Sequence, residues 1–573
     1  MPIQIQFQTG INATLTVNMS LRIQFFLLFI LGFTTSLAAQ SPDKVQVNGA
    51  FQGTLNYFIK DAKIGAANTP QYEGMPLGAD AWLNVNADFG IWRGGVRFDF
   101  FHNSNLLNPS SSYTDRGLGL WYLETEYKKL DVRIGGIYNQ IGSGIIYRAY
   151  EERPLLIDNA LKGIQLAYDI NDEWKVTTFA GKQRYLFSSY DGLVYGGKVE
   201  GFMSMGEDNP VSIVPGIGFT GKRLSDGSVD KLISILRNYT DDERIEQFTF
   251  HSQALSIYNS LNYKAFSWYF EGAYKLPEVS FDPNEETTKI TGVKSQGRYL
   301  KRAGTVFYST LSYAKKGLGI TLEGKRTENF DFRIDPTLLL NNGLIGFLPP
   351  MNHITSYRLT SRYNPATQFT SELAFQLDVK YKINKKYTLN VNTSNVNTLE
   401  NENLYREFYI DLQYKPNRKF DSHFGLQRQI YNQSVYEGKP KNITPVVKTW
   451  TPYVDLLYKF TRRNSLKVEA QYMSTEQDYG SWVYLLAELG LAPHWRFELS
   501  GMYNIIPNTG NPNIPEGAGG KILYPTSGVY YIWKQSRYGL RYVKQVEGVV
   551  CTGGVCRLEP AFSGFKFEVN SLF

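Results

Sequence analysis

From Val45 to the C-terminal Phe573, apolar and polar residues alternate with a period of two, segment after segment. That period belongs to strands with one apolar and one polar face. In 371–393, Leu373, Phe375, Leu377, Val379, Tyr381 and Ile383 share one face, with Ala374, Gln376, Asp378, Lys380 and Lys382 on the other. After the turn Asn384-Lys385-Lys386, Tyr387, Leu389 and Val391 resume the apolar face opposite Thr388, Asn390 and Asn392. A soluble sandwich alternates in the same way, so the connections must decide. Short polar turns recur at Trp92-Arg93-Gly94, Lys128-Lys129, Asn171-Asp172, Glu207-Asp208, Lys264-Ala265 and Lys315-Lys316. They continue at Lys385-Lys386, Asn417-Arg418, Arg462-Arg463, Pro493-His494 and Gln535-Ser536, with long connections between them. Outer-membrane barrels have short periplasmic turns and long extracellular loops, and both termini are periplasmic when the strand number is even. The pattern therefore predicts an all-β fold, a transmembrane antiparallel β-barrel of about 24 strands within a range of roughly 22 to 26.

The last strand adds to this. Phe565, Phe567, Val569, Ser571 and Phe573 fall on one face, and the strand ends on Phe573 itself. The pattern resembles the terminal signal read by the barrel-assembly machinery, which that resemblance makes a partner. Ser571 departs from it, since an apolar or aromatic residue is usual there.

Composition fits a barrel in lipid. Aromatics make up 15% of the chain, with 40 Tyr and 35 Phe against 8 Met, and interfacial girdles of such barrels use aromatic residues. Mean hydropathy is −0.31, too polar for a helical membrane protein. One run approaches a helical span: 21–39, LRIQFFLLFILGFTTSLAA, behind Arg22. Its length and small-residue end predict a signal peptide over 19–39 cleaved before Gln40. Residues 1–18 carry no Lys or Arg, which suits an upstream stretch before a true start at Met19. The barrel is expected over 40–573. Its first strand, Val45 to Ile59, leaves no room for a preceding plug, and no lipid-anchoring cysteine follows the signal.

The net charge of +7 is spread along the chain, which gives nucleic-acid binding no support. Cys551 and Cys556 enclose Thr-Gly-Gly-Val in an exported chain. A disulfide is expected there. Zinc is the weaker alternative, because two ligands do not make a structural site.

The segment 133–164, RIGGIYNQIGSGIIYRAYEERPLLIDNALKGI, concentrates Gly135, Gly136, Gly142 and Gly144 with Arg148, Glu151, Glu152, Arg153, Asp158 and Lys162. No helix is expected to follow these glycines, so they do not make a phosphate-binding loop. Within strands they mark bends or close backbone approach. The charges fit two readings. In one, Arg148 and Arg153 face Glu151 and Glu152 across a lumenal constriction with a transverse field. In the other, they form a salt-bridged loop base that stiffens the barrel mouth.

Two connections stand apart. Residues 228–245 space Leu232, Ile233, Ile235 and Leu236 as a short amphipathic helix, either folded into the lumen or capping the mouth. Residues 335–351, DPTLLLNNGLIGFLPPM, are too apolar for a solvated loop. They either pack inside the barrel, dock on a surface partner or line an entry for an apolar solute.

The segment 133–164, with NDEWKVTTFAGKQRYLF (171–187), YNPATQ (363–368) and FQLDVKYKI (375–383), resembles an uncharacterised family of outer-membrane barrels from the Bacteroidota. The resemblance implies a fold and a location but transfers no functional residue. The five histidines, His102, His251, His353, His423 and His494, have no nucleophile motif beside them, and no His or Cys pairs stand at ligand spacing. Catalytic, cofactor and metal sites are therefore not expected. The reading favours a barrel in outer-membrane lipid that passes a polar solute. The alternatives are a non-conducting scaffold or secretion-associated barrel that binds a surface lipoprotein or cargo, and uptake of a hydrophobic molecule.

Overall fold

The computed structural model describes residues 45–205, 210–245, 249–510, 520–552 and 555–573, the side chains of 550–552 and 555–556 excepted. The expected signal peptide, the start at Met19, the cleavage before Gln40 and the turn Glu207-Asp208 lie outside the described residues. One sheet contains 25 segments, of which Met203–Ser204 continues the strand Ser188–Gly201 along the same neighbour. The barrel thus has 24 strands. It closes where Gln46–Phe58 pairs with Leu77–Phe89 on one side and with the last strand, Phe562–Leu572, on the other, Phe51 opposite Ser571 and Tyr57 opposite Phe565. Among the described residues no helix is long and apolar enough to cross a membrane. The strands make the crossing.

The alternation is inside out relative to a soluble barrel. In the strand Phe266–Thr288, Glu271, Ala273 and Lys275 are buried, while Tyr274 and Leu276 are exposed. The hairpin Ser371–Lys382 and Tyr387–Asn397 repeats this: Leu373, Phe375 and Tyr381 are exposed and Ala374 is buried. Ile257 (62% exposed), Leu499 and Leu540 extend the apolar outer surface. A belt of this kind exceeds what a water-soluble monomer tolerates and is what hydrocarbon accepts. Phe89, Trp92, Tyr127, Tyr168, Phe266 and Trp495 are exposed beside short turns. There, ring pairs such as Phe266–Tyr313 and Trp495–Tyr531, both at 4.7 Å, form an aromatic girdle.

The short turns lie at one end, together with both chain ends of the barrel. Three positions shift slightly from expectation, one of them from Gln535-Ser536 to Lys534-Gln535, because Ser536 already pairs with Trp533. The first turn is Gly90-Ile91, because Trp92 already pairs with Phe89, and the turn expected at Lys315-Lys316 falls on Lys316-Gly317. At the opposite end the strands Phe266–Thr288 and Lys294–Lys315 run on well past their neighbours. The helix Asp226–Leu236 is capped by Ser225, whose side chain accepts from the Ser228 amide. Its Leu232 and Leu236 pack with Tyr239 just beyond the helix and with Val279 and Tyr299 on that protruding hairpin. The amphipathic segment thus braces the mouth and does not enter the lumen.

Other loops do enter it. The connection 329–370 contributes to both large buried clusters: Phe330, Phe332, Ile334 and Ile345 to one, Met351, Leu359 and Tyr363 to the other. It therefore spans the interior between opposite walls. Burial follows from this. In Leu77–Phe89, residues 78–82 at the loop end are buried and Asn84 and Asn86 nearer the turn are only half-buried. The strand Gly480–Leu491 likewise buries only its first three positions. The lumen is packed in its loop-end half and opens as a polar vestibule toward the short turns.

Candidate functional site

The interior is organised by two loops that hold each other. In 138–160, Ile141, Ile145, Ile146 and Tyr147 are buried against the wall, with the Tyr147 ring stacked 4.2 Å from Phe179. A tight turn anchors this apolar stretch. The amide and hydroxyl of Ser143 donate to Glu271 Oε2 at 2.8 and 2.6 Å, and the Tyr269 hydroxyl donates to the same oxygen at 2.6 Å. Gly142 has φ +55°, and a Cβ there would stand 2.7 Å from the Glu271 carboxylate oxygens, so glycine suits both the conformation and the approach. The second loop is stitched on by main-chain bonds: the Arg148 amide donates to Ile345 O and the Phe347 amide to Gly144 O, both at 2.9 Å. Such bonds depend on backbone shape, so they carry little side-chain signature.

Farther along 138–160, a two-residue pairing of Glu151–Glu152 with Ile157–Asp158 makes a small hairpin. It is fixed to the wall by ion pairs. Arg97 from Trp92–Ser104 reaches Asp99 at 2.7 Å, Glu151 at 2.8 Å and Asp158 at 2.7 Å. Arg184 from Trp174–Tyr185 reaches Asp99 at 2.8 Å and also pairs with Asp158. The Tyr138 hydroxyl donates to Asp158 at 3.0 Å. Arg97, Asp99 and Arg184 are buried, where pairing with opposite charge offsets the cost of removing an ion from water. With Arg153 on Glu151 at 2.8 Å, three guanidinium groups meet three carboxylates and the network is neutral. Its ion pairs tie the hairpin to the wall strands Trp92–Ser104 and Trp174–Tyr185.

On the opposite wall, Arg362 of 329–370 lies 3.5 Å from Asp478 and over the rings of Tyr479 and Trp482. Burial pushes the Asp478 carboxyl up, yet Arg362, Gln433 and Tyr363 together hold it below the usual carboxylate range.

Among the described residues the packing leaves cavities, four of which adjoin one another. The first, about 590 Å³, opens at the loop end among Phe347, Leu348, Phe369 and Tyr436. It shares Leu340, Asn341, Arg557 and Leu558 with a second of about 340 Å³ beside the ion network. The second shares Trp82, Leu106, Arg153 and Arg557 with a third of about 360 Å³ along the closing strands. The third shares Gln52, Arg153 and Asn570 with a fourth of about 480 Å³, which ends at the short turn Lys534-Gln535. Arg153 lines three of the four. Its guanidinium donates to Gln52 at 3.0 Å and lies 5.6 Å from the Trp82 ring.

A family model described as a family of unknown function, DUF6029, matches residues 19–573. The chain belongs to DUF6029. No curated protein matches this DUF6029 chain in sequence. Among solved structures, the siderophore receptor PirA from Pseudomonas aeruginosa is 10% identical over 93% of this chain and 81% of its own, with a TM-score of 0.40. The translocation pore of the P pilus usher PapC is 9% identical over 92% and 99%, with a TM-score of 0.41. A chain of the E. coli P pilus tip assembly intermediate PapC-PapD-PapK-PapG is 10% identical over 94% and 62%, with a TM-score of 0.46. The likeness lies in the fold alone.

The DUF6029 barrel brings together only part of the charge cluster marked in its sequence. Glu151, Arg153 and Asp158 share one network. Arg148 does not face Glu151 and Glu152: its guanidinium stacks on Phe347 at 4.1 Å and Tyr150 at 4.8 Å, because its backbone is bonded to the other loop. Glu152 stands outside the ion pairs among the described residues. Lys162 donates to the carbonyls of Phe187 and Ser188 at 3.2 and 2.9 Å. The wall partners Arg97, Asp99 and Arg184 escape sequence reasoning, since on a polar strand face they look like any lumenal charge.

The apolar segment 335–351 divides. Ile345, Leu348 and Met351 are buried, whereas Leu339 and Leu340 remain exposed. Gly142 and Gly144, both at positive φ, lie in the connection after the strand Leu130–Ile137, while Gly135 and Gly136 lie within that strand. At the C-terminus, Phe565 is exposed on the outer face, Val569 is covered, and Phe573 closes on Gly49. Cys551 stands opposite Cys556 in the pairing of Gly548–Thr552 with Val555–Glu559. Their side chains, and with them the expected disulfide, lie outside the described residues.

Proposed function

We propose that this outer-membrane barrel is a gated, porin-like channel for a polar solute, with its short turns periplasmic and its long loops outside. The run of adjoining cavities from the loop-end mouth to the turn Lys534-Gln535 carries this reading. The half-buried polar wall below the loops supplies an aqueous approach from the other side. In this reading the two stitched loops are the gate and Arg153 stands in its narrow part. The signal peptide 19–39, delivery by the barrel-assembly machinery through Phe565, Phe567, Val569 and Phe573, and an origin in the Bacteroidota belong to the same proposal.

Purified protein in planar bilayers tests it. Stepwise, salt-dependent current is expected, and Arg153→Ala should raise it. A silent barrel that co-purifies with a stoichiometric partner overturns the channel reading.

A scaffold or secretion-associated role, with a surface lipoprotein or cargo bound at the loop end, is the second reading. It is favoured by Leu340 at 81% and Ile354 at 77% exposure. Uptake of a hydrophobic molecule is the third, and rests on the apolar lining of the first cavity. It requires that deletion of 335–351 abolish binding.

A further inference from the structure

Most charges buried inside the barrel are neutralised in place. Lys222 and Lys275 share Glu278 at 2.7 and 3.1 Å, Lys325 meets Glu372 at 2.8 Å, and Arg333 meets Asp331 at 2.7 Å. Pairing of this kind offsets the cost of removing an ion from water. The wall beside the closing strands departs from it. Arg557 and Lys566 line the third cavity, and Lys534 and Arg537 the fourth. Among the described residues none of these four cations makes an ion pair with a carboxylate.

Rings stand beside three of the four. Lys566 Nζ lies 4.3 Å from the Phe562 ring, Arg537 4.6 Å from Tyr530 and Lys534 Nζ 4.9 Å from Trp533. Such contacts hold a cation and leave its charge available. Of the carboxylates on the third cavity, Glu568 is committed to Arg541, which leaves Asp80 and Glu559. The fourth cavity has no carboxylate in its lining. In the third cavity Asp80 and Glu559 match Arg557 and Lys566 in number, so the surplus stands in the fourth, where the exposed Lys534 and Arg537 face no carboxylate of the lining.

A surplus of one sign within low-dielectric walls concentrates ions of the other sign, and Arg and Lys side chains lining a pore favour anions. From this geometry we infer that the route selects small anions of carboxylate or phosphate type, with Lys534 and Arg537 at its turn end as the residues that set the selectivity. The inference rests on the channel reading above and specifies the solute class for it.

The test is the reversal potential of the full-length protein in a planar bilayer under a KCl gradient. A severalfold preference for chloride over potassium is expected. K534E/R537E should reverse that preference, and the milder K534Q/R537Q should bring it toward unity. Folding of each variant is checked by heat-modifiable migration in detergent gels. A conducting wild-type protein that prefers potassium, or folded variants that leave the potential unmoved, overturns the selectivity and leaves the channel intact. A wild-type protein that passes no current overturns both.

Discussion

Gly49 and Phe573 close the barrel: the Gly49 amide donates to the Phe573 carbonyl at 2.8 Å, and the Phe573 amide returns a bond to Gly49 at 3.0 Å. The Phe573 ring also occupies the space that a side chain at position 49 would need. Gly49→Val should therefore impair closure although it lies at the far end of the sequence from Phe573. The measurement is the fraction of protein in outer-membrane fractions that migrates as the compact, unheated form. A variant that assembles as fully as the parent would remove this contact from the closing step.

Asp158 is the point where the inner hairpin is tied to two wall strands. Asp158→Asn leaves Arg97 and Arg184 buried with less compensating charge, at a cost on the order of 3 kcal/mol. The expected result is a lower unfolding temperature, together with proteolytic cutting within 138–160 in a barrel that otherwise stays folded. Limited proteolysis of the reconstituted protein reads the second effect directly.

His353 gives the packed loop a dependence on pH. Its ring lies 4.2 Å from that of Tyr409. Burial lowers its pKa against the opposing pull of Asp378 and Asp411. The folded protein then binds fewer protons than the unfolded one. The stabilisation is complete above the ordinary histidine value of about 6.5 and is lost as pH falls through it toward the lower folded value. Protection of 329–370 from protease should weaken over that interval, and His353→Gln should flatten the profile. An unchanged profile in the variant assigns the dependence elsewhere.

The main-chain pairing of Cys551 with Cys556 suits a bridge, since facing residues of an antiparallel pair lie within disulfide reach. Protein isolated from the outer membrane should resist alkylation at both positions until a reductant is added. Thiol modification followed by mass analysis settles the point. Free thiols in the native protein would contradict it.

The barrel was legible because lipid and lumen impose opposite demands on alternate residues. Leu373, Phe375 and Tyr381 declare a face that no soluble strand would leave in water, and Lys264-Ala265 or Asn417-Arg418 mark the ends. The interior was less legible for a physical reason. Nothing on the polar face of Trp92–Ser104 distinguishes Arg97, which fastens a loop, from a charge that merely meets water. Arg148 was misplaced because its surroundings are set by backbone bonds to Ile345, and amides carry no residue code. The run-on of Phe266–Thr288 was hidden by register shifts between Lys275 and Glu278 and between Asp282 and Glu286, which break the period that reveals a strand.

That same run-on has a consequence for encounter. The strands Phe266–Thr288 and Lys294–Lys315 have 23 and 22 residues, against 13 in the neighbouring His251–Tyr263. At roughly 3.3 Å per residue the surplus amounts to about 30 Å of extra strand. In the proposed orientation, with the long loops outside, a macromolecule arriving from the medium meets this helix-braced spire before it meets the mouth.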